Sequence, residues 1–518
     1  MSGTRFNRVT FGVPVESFDI SAYVAITERL PIVTEFILKV VHVCGAMSVA
    51  SLREFFGFSD VEVLSVVESL SNQGLLILEG ETVRLSQFAS ERFQDDGKPP
   101  SFSVIERKRD KVTFDLLTYY PLPGGIGPMP TDCVVKLDAP EKSLGSSIEM
   151  ARSAYREHYE EIAFRREDMR ERSHGVYSIE DIESRRRSHF SVNVNLTLDA
   201  DGQVRRVFDD QFESIVPPEL VNSVAEQVAR RIPSTLKLPS AALSEFIGTF
   251  DARFLEPYVH GKVFDLTRFA SDVRQEERIK VPKGVKPVFG NVYLPENMEG
   301  VLLRVRRRLE RKRKKGPLVA PVVWLVPDYF LWGRGDALVG AVGRLSDLLC
   351  QEQYGKNLYV CAYADGELRE RDVKEQLRVP KLTELHFVRP RETGAAVPMD
   401  GRLEILLMPG GFVYLLFHYT VPGADGMWAP FGFVSTVPKH LEAARQLLCR
   451  ALDGSGYGGR ARFSQKDDRK IPHSVEEAMP FLLEAPRQDD NPIADEEEDD
   501  DQQGAAPGAS GPPQVPDK

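Results

Sequence analysis

Residues 403–417 read Leu403-Glu-Ile-Leu-Leu-Met-Pro-Gly-Gly-Phe-Val-Tyr-Leu-Leu-Phe417, two apolar runs separated by Pro-Gly-Gly. Apolar runs of this length, bounded by turn residues, are typical of buried strands. The short break between them predicts that the two strands form a β-hairpin. The hairpin therefore indicates a sheet with a buried interior in the C-terminal half of the chain.

Strands and helices are predicted to alternate on the N-terminal side of this hairpin. The predicted strands are Val322–Val326, Leu358–Tyr363 and Glu384–Val388, and the predicted helices are Ala337–Cys350 and Glu370–Leu377. On the C-terminal side we expect a strand at Phe431–Thr436 and a helix at His440–Ala451. This order predicts an α/β domain whose sheet is largely parallel, with an antiparallel edge.

The same order resembles one half of a phospholipase D-like domain. The resemblance covers about 130 residues and depends on the strand–helix alternation, the hairpin Leu403–Phe417 and the strand FGFVST at Phe431–Thr436. In that family the hairpin carries His-x-Lys-x4-Asp, with the His as covalent phosphoryl acceptor. Here the hairpin has no His, Lys or Asp. The resemblance therefore implies a degenerate copy that has lost its nucleophile.

A dense basic block precedes the first of these strands. Residues 304–315 read RVRRRLERKRKK, in which Glu310 is the one acidic residue. Unpaired cations repel one another and are costly to bury, so such a block needs a polyanion, a carboxylate-rich surface or open solvent. The residues predicted to bind nucleic acid are Arg304, Arg306, Arg307, Arg308, Arg311, Lys312, Arg313, Lys314 and Lys315, with Arg185, Arg186 and Arg187 as a second patch.

Two other roles for the basic block remain open. It could be a solvated helix face balanced by carboxylate-bearing helices such as Glu160–Glu171. Alternatively, the chain's own acidic segment Asp495–Asp501 could compete with a nucleic acid for the same surface.

The N-terminal part of the chain has a second recognisable order of predicted helices and strands. Apolar spacing predicts a helix from Ile32 to Cys44 that ends at Gly45, a short helix at Ser48–Phe56, and a third helix that Ser59 caps. A two-stranded wing is predicted at Leu75–Leu78 and Thr82–Leu85. This order resembles a winged helix-turn-helix domain and covers roughly the first hundred residues.

The third helix of this domain is acidic. It carries Asp60, Glu62 and Glu68 and no Lys or Arg, whereas a helix that reads the major groove needs polar or basic side chains. We therefore expect the domain to dimerise or to dock partner proteins. DNA contact by another face, such as the one that carries Arg5 and Arg8, is the alternative.

Two short motifs could belong to an enzyme. His260-Gly261-Lys262, with Asp265 nearby, is the only His-x-Lys in the chain. The turn Trp332–Asp336 lies between a predicted strand and a predicted helix, where backbone N–H groups could bind an anion. The first lacks the spacing of the phospholipase D motif, and the second lacks the Lys-Ser/Thr of a P-loop. A tight turn with Asp336 as helix N-cap is the simpler interpretation of the second motif.

Bulk composition limits the class of protein. The net charge of −11 is concentrated in Gln488–Lys518, which has ten acidic residues and one Lys. The five cysteines are scattered, which is typical of a reducing compartment. The N-terminal sequence has no apolar segment of the signal-peptide type, and no apolar run approaches the ~18 residues of a membrane span. We therefore expect a cytoplasmic protein.

These observations predict an α+β multidomain protein. Its parts are a winged helix (1–100), a mixed α+β region (101–296), a basic helix with the α/β domain (297–487) and a disordered acidic tail (488–518). The predicted function is that of a non-catalytic, nucleic-acid-associated subunit that docks to partner proteins through the winged helix. DNA is the expected nucleic acid, and a homo-oligomer is left open.

The combination of domains resembles accessory proteins of bacterial phage-defence systems. We expect no catalytic residues, no metal, no cofactor and no membrane contact. One alternative is a nuclease or phosphoryl-transfer enzyme with an unrecognised site. The other is a winged-helix transcriptional regulator.

Overall fold

The structure is a computed structural model. It describes residues 3–28, 31–91, 93, 102–123, 134–165, 173–232, 238–275, 278–313, 321–350, 358–364, 367–379, 382, 384–388, 397–424, 426–452, 457–462 and 479–483. The predicted acidic tail, 488–518, lies outside these residues.

The strands in chain order are β1 (Thr4–Glu28), β2 (Ala46–Ser48), β3 (Leu76–Glu79), β4 (Thr82–Leu85), β5 (Phe102–Asp115), β6 (Pro121–Leu122), β7 (Val135–Lys136), β8 (Ser173–Leu198), β9 (Val204–Phe208), β10 (Val259–His260), β11 (Val263–Phe264), β12 (Val285–Phe289), β13 (Val322–Leu325), β14 (Leu358–Tyr363), β15 (Glu384–Val388), β16 (Leu403–Met408), β17 (Phe412–Thr420), β18 (Trp428–Ser435) and β19 (Tyr457–Arg462). The α-helices are α1 (Ile32–Cys44), α2 (Val49–Phe56), α3 (Asp60–Asn72), α4 (Gln87–Ser90), α5 (Glu141–Gly145), α6 (Ser147–Glu157), α7 (Tyr159–Phe164), α8 (Asp210–Ile215), α9 (Pro218–Arg231), α10 (Ser240–Thr249), α11 (Leu266–Arg274), α12 (Pro295–Arg313), α13 (Asp336–Cys350), α14 (Glu367–Gln376) and α15 (Pro438–Leu452).

The fold is a mixture of helices and sheets in two compact units, as the sequence predicts at this coarse level. The first unit comprises Met1–Val13, Gly127–Asp138 and His189–Lys518, and the second comprises Pro14–Ile126 and Ala139–Ser188. Each unit thus combines segments that are far apart in the chain, whereas the sequence suggested consecutive domains. Within the ranges given above, no helix has both the length and the hydropathy that a membrane span needs.

An eight-stranded sheet lies at the centre of the first unit. Its order is β12-β18-β17-β16-β13-β14-β15-β19. Strands β13, β14 and β15 are parallel neighbours, and the other neighbouring pairs are antiparallel. The predicted hairpin is confirmed, with Met408 opposite Phe412.

The expectation of a largely parallel sheet is wrong. Strands β16, β17 and β18 follow one another through short connections, and a strand joined to its neighbour by a tight turn must pair antiparallel. Strand β12, which the sequence did not reveal, extends the antiparallel side by pairing with β18.

A long two-stranded pairing organises the second unit. Strand β1 pairs antiparallel with β5 from Val15 opposite Asp115 to Glu28 opposite Phe102. Alternate β1 side chains, including Phe18 and Ile20, enter a core that α6 and α7 complete. Strand β1 is 25 residues long because its apolar alternation continues as far as Ile26.

Helices α1, α2 and α3 and strands β3 and β4 share a separate core in the second unit. Its buried side chains come from residues 37–89 alone. The predicted caps are confirmed: Gly45 ends α1 with φ 72°, and Ser59 accepts a hydrogen bond from the N–H of Glu62, whose carboxylate accepts one from the N–H of Ser59. These caps satisfy backbone donors that the helix itself leaves unpaired.

Candidate functional site

The basic block lies at the C-terminal end of α12. Arg306 is exposed, Arg304 and Arg307 are half-buried, and Arg308 is only 5% exposed. Arg304 also donates a hydrogen bond from Nη1 to the carbonyl oxygen of Gly300 at 3.2 Å. The side chains of Arg311, Lys312 and Arg313, and the whole of Lys314 and Lys315, lie outside the described residues.

The burial of Arg308 corrects one part of the predicted interface. Val301, Val305 and Arg308 are at positions i, i+4 and i+7, which places them on one face of α12. Because this face packs into the first unit, Arg308 offers almost no surface to a polyanion. It therefore does not fit the predicted role, whereas for the exposed Arg306 the role stays a prediction.

The second predicted patch, Arg185 to Arg187, lies on β8 and is largely neutralised. Arg185 Nε lies 2.8 Å from Asp19 Oδ2, and Arg187 Nε lies 3.1 Å from Glu16 Oε2. The hydrogen bond to Asp19 raises the pKa of Arg185 above its ordinary value. Arg186 is exposed. Two of the three charges are thus matched by carboxylates of the same unit, so this patch is a weaker site for phosphate than the sequence suggests.

A cationic row on β5 was missed by the sequence analysis. Arg107, Arg109 and Lys111 alternate along the strand and are exposed. Arg107 pairs with Glu180 at 2.7 Å, whereas Arg109 and Lys111 have no ion pair among the residues that the structure describes. The period-2 spacing of cations between residues 106 and 111 was the signal that could have revealed the row.

The outer surfaces of α2 and α3 carry large apolar side chains. Phe55, Val61 and Leu64 are 64%, 78% and 54% exposed. Two carboxylates lie close to them along the chain: Glu68 is about two helical turns beyond Val61, and Glu54 precedes Phe55. Isolated exposed apolar residues are ordinary, but a cluster on two neighbouring helices marks an interaction surface. We call Phe55, Val61 and Leu64 the α2–α3 apolar surface.

Helix α1 adds further exposed apolar side chains to the same segment. Ile32, Phe36 and Val43 are all more than half exposed. Neighbouring cations are already paired, since Lys39 lies 2.8 Å from Glu35 and Arg53 lies 2.5 Å from Asp60. The surface of this segment is therefore apolar and acidic in character.

The residues of the first enzyme-like motif do not form a catalytic cluster. His260 and Lys262 are exposed on the β10–β11 hairpin. Asp265 accepts a hydrogen bond from the N–H of Arg268 at 2.9 Å and thereby caps α11. Its carboxylate is thus committed to the helix terminus.

The backbone donors of the Trp332–Asp336 turn are also used within the protein. The N–H of Gly333 donates to Tyr293 Oη at 3.1 Å, and the N–H of Asp336 donates to Thr10 Oγ1 at 3.3 Å. The Asp336 carboxylate accepts from Arg8. Asp336 is the first residue of α13 and not its N-cap. These contacts make the turn structural.

A buried carboxylate–imidazole pair lies in the eight-stranded sheet. Glu404 Oε2 and His418 Nε2 are 2.7 Å apart, and Trp324 Nε1 donates to Glu404 Oε1 at 2.9 Å. Because all three side chains are buried, a substrate in solution has no access to the pair. Among the described residues, no group of three or more His, Cys, Asp or Glu side chains is arranged to hold a metal ion.

Comparisons with known proteins give no relatives for this chain. No protein-family model matches it, no curated protein matches it, and no solved structure matches it. The function must therefore be argued from the surfaces described above.

Proposed function

We propose that this protein is a non-catalytic, nucleic-acid-associated subunit that docks to partner proteins, of the kind found in bacterial anti-phage defence systems. The observation that carries the proposal is the α2–α3 apolar surface (Phe55, Val61 and Leu64), which lies on a segment with more carboxylates than cations. A helix with this surface would be repelled by DNA phosphates, but it suits a protein partner.

We further propose that α1 to β4, within the predicted range 1–100, form a winged helix domain, whereas residues 4–28 form the separate strand β1. Support comes from the order α1, β2, α2, α3, β3, β4, from the pairing of β4 with both β2 and β3, and from the separate core of this segment. A degenerate phospholipase D-like domain is proposed for the C-terminal region. The order β13, α13, β14, α14, β15, followed by the β16–β17 hairpin, supports it.

The charge of the docking segment indicates the chemistry of its partner. Between Ile32 and Glu91 the chain has eight carboxylates and three Lys or Arg residues. Two copies of such a surface would repel each other, whereas a cationic, apolar partner would be attracted. The partner is therefore expected to be an amphipathic helix with Leu and Lys side chains on one face.

Nucleic-acid association would come from other parts of the chain. Arg109 and Lys111 on β5 and Arg306 on α12 are exposed cations. Exposed guanidinium and ammonium groups release condensed counterions when they contact phosphates, which gives sequence-independent affinity. The expected binding is to the phosphate backbone, since contacts of this kind fix position and carry no base-sequence information.

A model peptide tests the docking surface directly. A fluorescein-labelled amphipathic helix of Leu and Lys is titrated into the full-length protein and followed by anisotropy. We expect binding that weakens with salt and is reduced at least about tenfold by Leu64→Glu, because a new charge is buried at the contact. The matched control is Leu368→Glu, since Leu368 is 80% exposed on α14.

Two results would contradict the docking proposal. One is equal binding of the peptide to wild type and Leu64→Glu. The other is an equal loss of binding in the Leu368→Glu control, which would show that any added carboxylate has the same effect.

A further inference from the structure

A cleft in the first unit has not been assigned to any role so far. Its volume is about 840 Å³. It is lined by the turn between β8 and β9, by one face of α11, and by the backbone at Gly3 and Thr4. Ligand sites usually have volumes of roughly 300–1,000 Å³, so the cleft has the size of a small-molecule site.

Four arginines line this cleft: Arg205, Arg268, Arg274 and Arg278. Arg268 and Arg278 lie on either side of Asp272, at 3.9 and 4.0 Å, which is too long for hydrogen bonds. Asp272 instead accepts a hydrogen bond from Tyr258 Oη at 2.9 Å. The carboxylate thus holds two arginines near each other while their N–H donors stay available to a ligand.

Two of the other carboxylates of the cleft, those of Asp199 and Asp265, are bonded within the protein, whereas Asp201 is exposed. Asp199 accepts hydrogen bonds from the N–H groups of Asp201 and Gln203 and from Arg205 Nε. The bond from Arg205 is the main cause that lowers the pKa of Asp199, so this carboxylate stays ionised and fixes the guanidinium. Asp265 caps α11, as described above. Asp199 therefore orients one arginine and Asp265 the helix end, which leaves Asp201 as the exposed acidic side chain of the lining.

Helix α11 adds neutral donors beside the arginines. Thr267 and Ser271 are one turn apart and both line the cleft, and Arg274 follows on the same face. The N-terminal end of this helix is already capped by Asp265, so the donors it adds are side chains. Guanidinium and hydroxyl groups together match the oxygens of a phosphate ester.

We propose that this cleft binds a small organic phosphate, either a sugar phosphate or a nucleotide. Arg268 and Arg278 would bind the phosphoryl oxygens, and Thr267 and Ser271 would bind the remaining oxygens. The site is independent of the proposed docking and nucleic-acid surfaces.

Calorimetric titration of the full-length protein tests the proposal. The titrants are ADP and ribose 5-phosphate, with ribose and inorganic phosphate as comparisons. We expect both esters to bind and ribose not to bind. Tighter binding of ADP would identify a nucleotide site, and tighter binding of ribose 5-phosphate would identify a sugar-phosphate site.

The double variant Arg268→Gln/Arg278→Gln should weaken ester binding at least about tenfold, since charge-assisted hydrogen bonds are lost. Both side chains are more than half exposed, so the thermal unfolding midpoint should match that of wild type. The matched control is Arg253→Gln, an exposed arginine outside the cleft that pairs with Asp251.

Any of three results would overturn the proposal. The first is the absence of ester binding, or binding that the double variant leaves unchanged. The second is equal affinity for ribose or for inorganic phosphate. The third is displacement of ADP by a stoichiometric DNA duplex, which would assign the cleft to a nucleic-acid interface. None of these results bears on binding of the Leu/Lys peptide at the α2–α3 apolar surface.

Discussion

Glu404 and His418 form a hydrogen bond of 2.7 Å across neighbouring strands of the eight-stranded sheet, where they are 0% and 1% exposed. Trp324 donates to the other oxygen of the same carboxylate. The pair connects β13, β16 and β17 by side-chain bonds in addition to the backbone ladder. Polar groups so deeply buried are tolerated only when they are hydrogen bonded.

Removing the carboxylate should therefore be costly. Glu404→Ala is expected to lower the free energy of unfolding by about 3–5 kcal/mol, because Trp324 and His418 lose a buried partner. Glu404→Gln should cost less, since its amide oxygen can still accept from Trp324. Urea unfolding at neutral pH measures both values, with Glu375→Ala on the exposed face of α14 as control. Equal stability of wild type and Glu404→Ala would contradict the structural role of the pair.

The stability of the protein should fall on mild acidification. Burial lowers the pKa of His440 below its ordinary value, and Ser435 Oγ lies 2.7 Å from its Nδ1. The unfolded chain therefore takes up a proton as the pH falls through about 6.5, whereas the folded protein does so only at lower pH. Unfolding is thus favoured, and the free energy of unfolding should be smaller at pH about 5.5 than at about 7.5.

Replacing the imidazole should reduce this pH dependence. His440→Asn keeps a polar group near Ser435 but cannot be protonated, so it should lose less stability on acidification than wild type. Burial also lowers the pKa of His189, which acts in the same direction, so part of the effect should remain. The matched control is His260→Gln, a change at an exposed histidine. An unchanged or larger pH effect in His440→Asn would refute the assignment.

The contribution of the Ser59 cap of α3 to the free energy of unfolding should be measurable by itself. Ser59→Ala removes the acceptor for the N–H of Glu62 and should cost about 1 kcal/mol of unfolding free energy. Ser65→Ala, on the exposed face of the same helix, should be neutral or slightly stabilising because alanine is the better helix former. Chemical denaturation of both variants gives the comparison. A larger loss in Ser65→Ala than in Ser59→Ala would show that the cap is unimportant.

DNA binding should depend on the cations of β5. A labelled duplex titrated at about 50 and about 200 mM salt should show a steep loss of affinity with salt. The double variant Arg109→Gln/Lys111→Gln should bind more weakly at low salt and should reduce the slope of log affinity against log salt by about two. Arg253→Gln serves again as the control. If the double variant keeps the wild-type slope, these two side chains do not contact phosphate.

Local sequence signals predicted local structure well. Gly45 ends α1 and Ser59 caps α3. Both helix ends are determined by the backbone conformation and hydrogen bonds of a few adjacent residues. The β16–β17 hairpin is similar, since Pro-Gly-Gly between two apolar runs leaves few other conformations. Local structure can be predicted from residue identity wherever the interacting groups are neighbours in the chain.

The candidate site was predicted less well because its charges depend on distant partners. The sequence revealed the arginines of residues 185–187, but the pairing of Arg185 with Asp19 brings together residues 166 positions apart. The cleft around Asp272 could not be anticipated either, because it combines residues near 3, 200 and 270.

The sequence by itself determined the helix ends, the hairpin and the concentration of charge between residues 304 and 315. Only the tertiary structure decided that Arg308 is buried, that most of the eight-stranded sheet is antiparallel, and that four arginines line one cleft. The physical reason is the sequence distance between the interacting residues. Turns and caps are set by bonds within a few residues, whereas burial and charge pairing depend on which distant segments pack together.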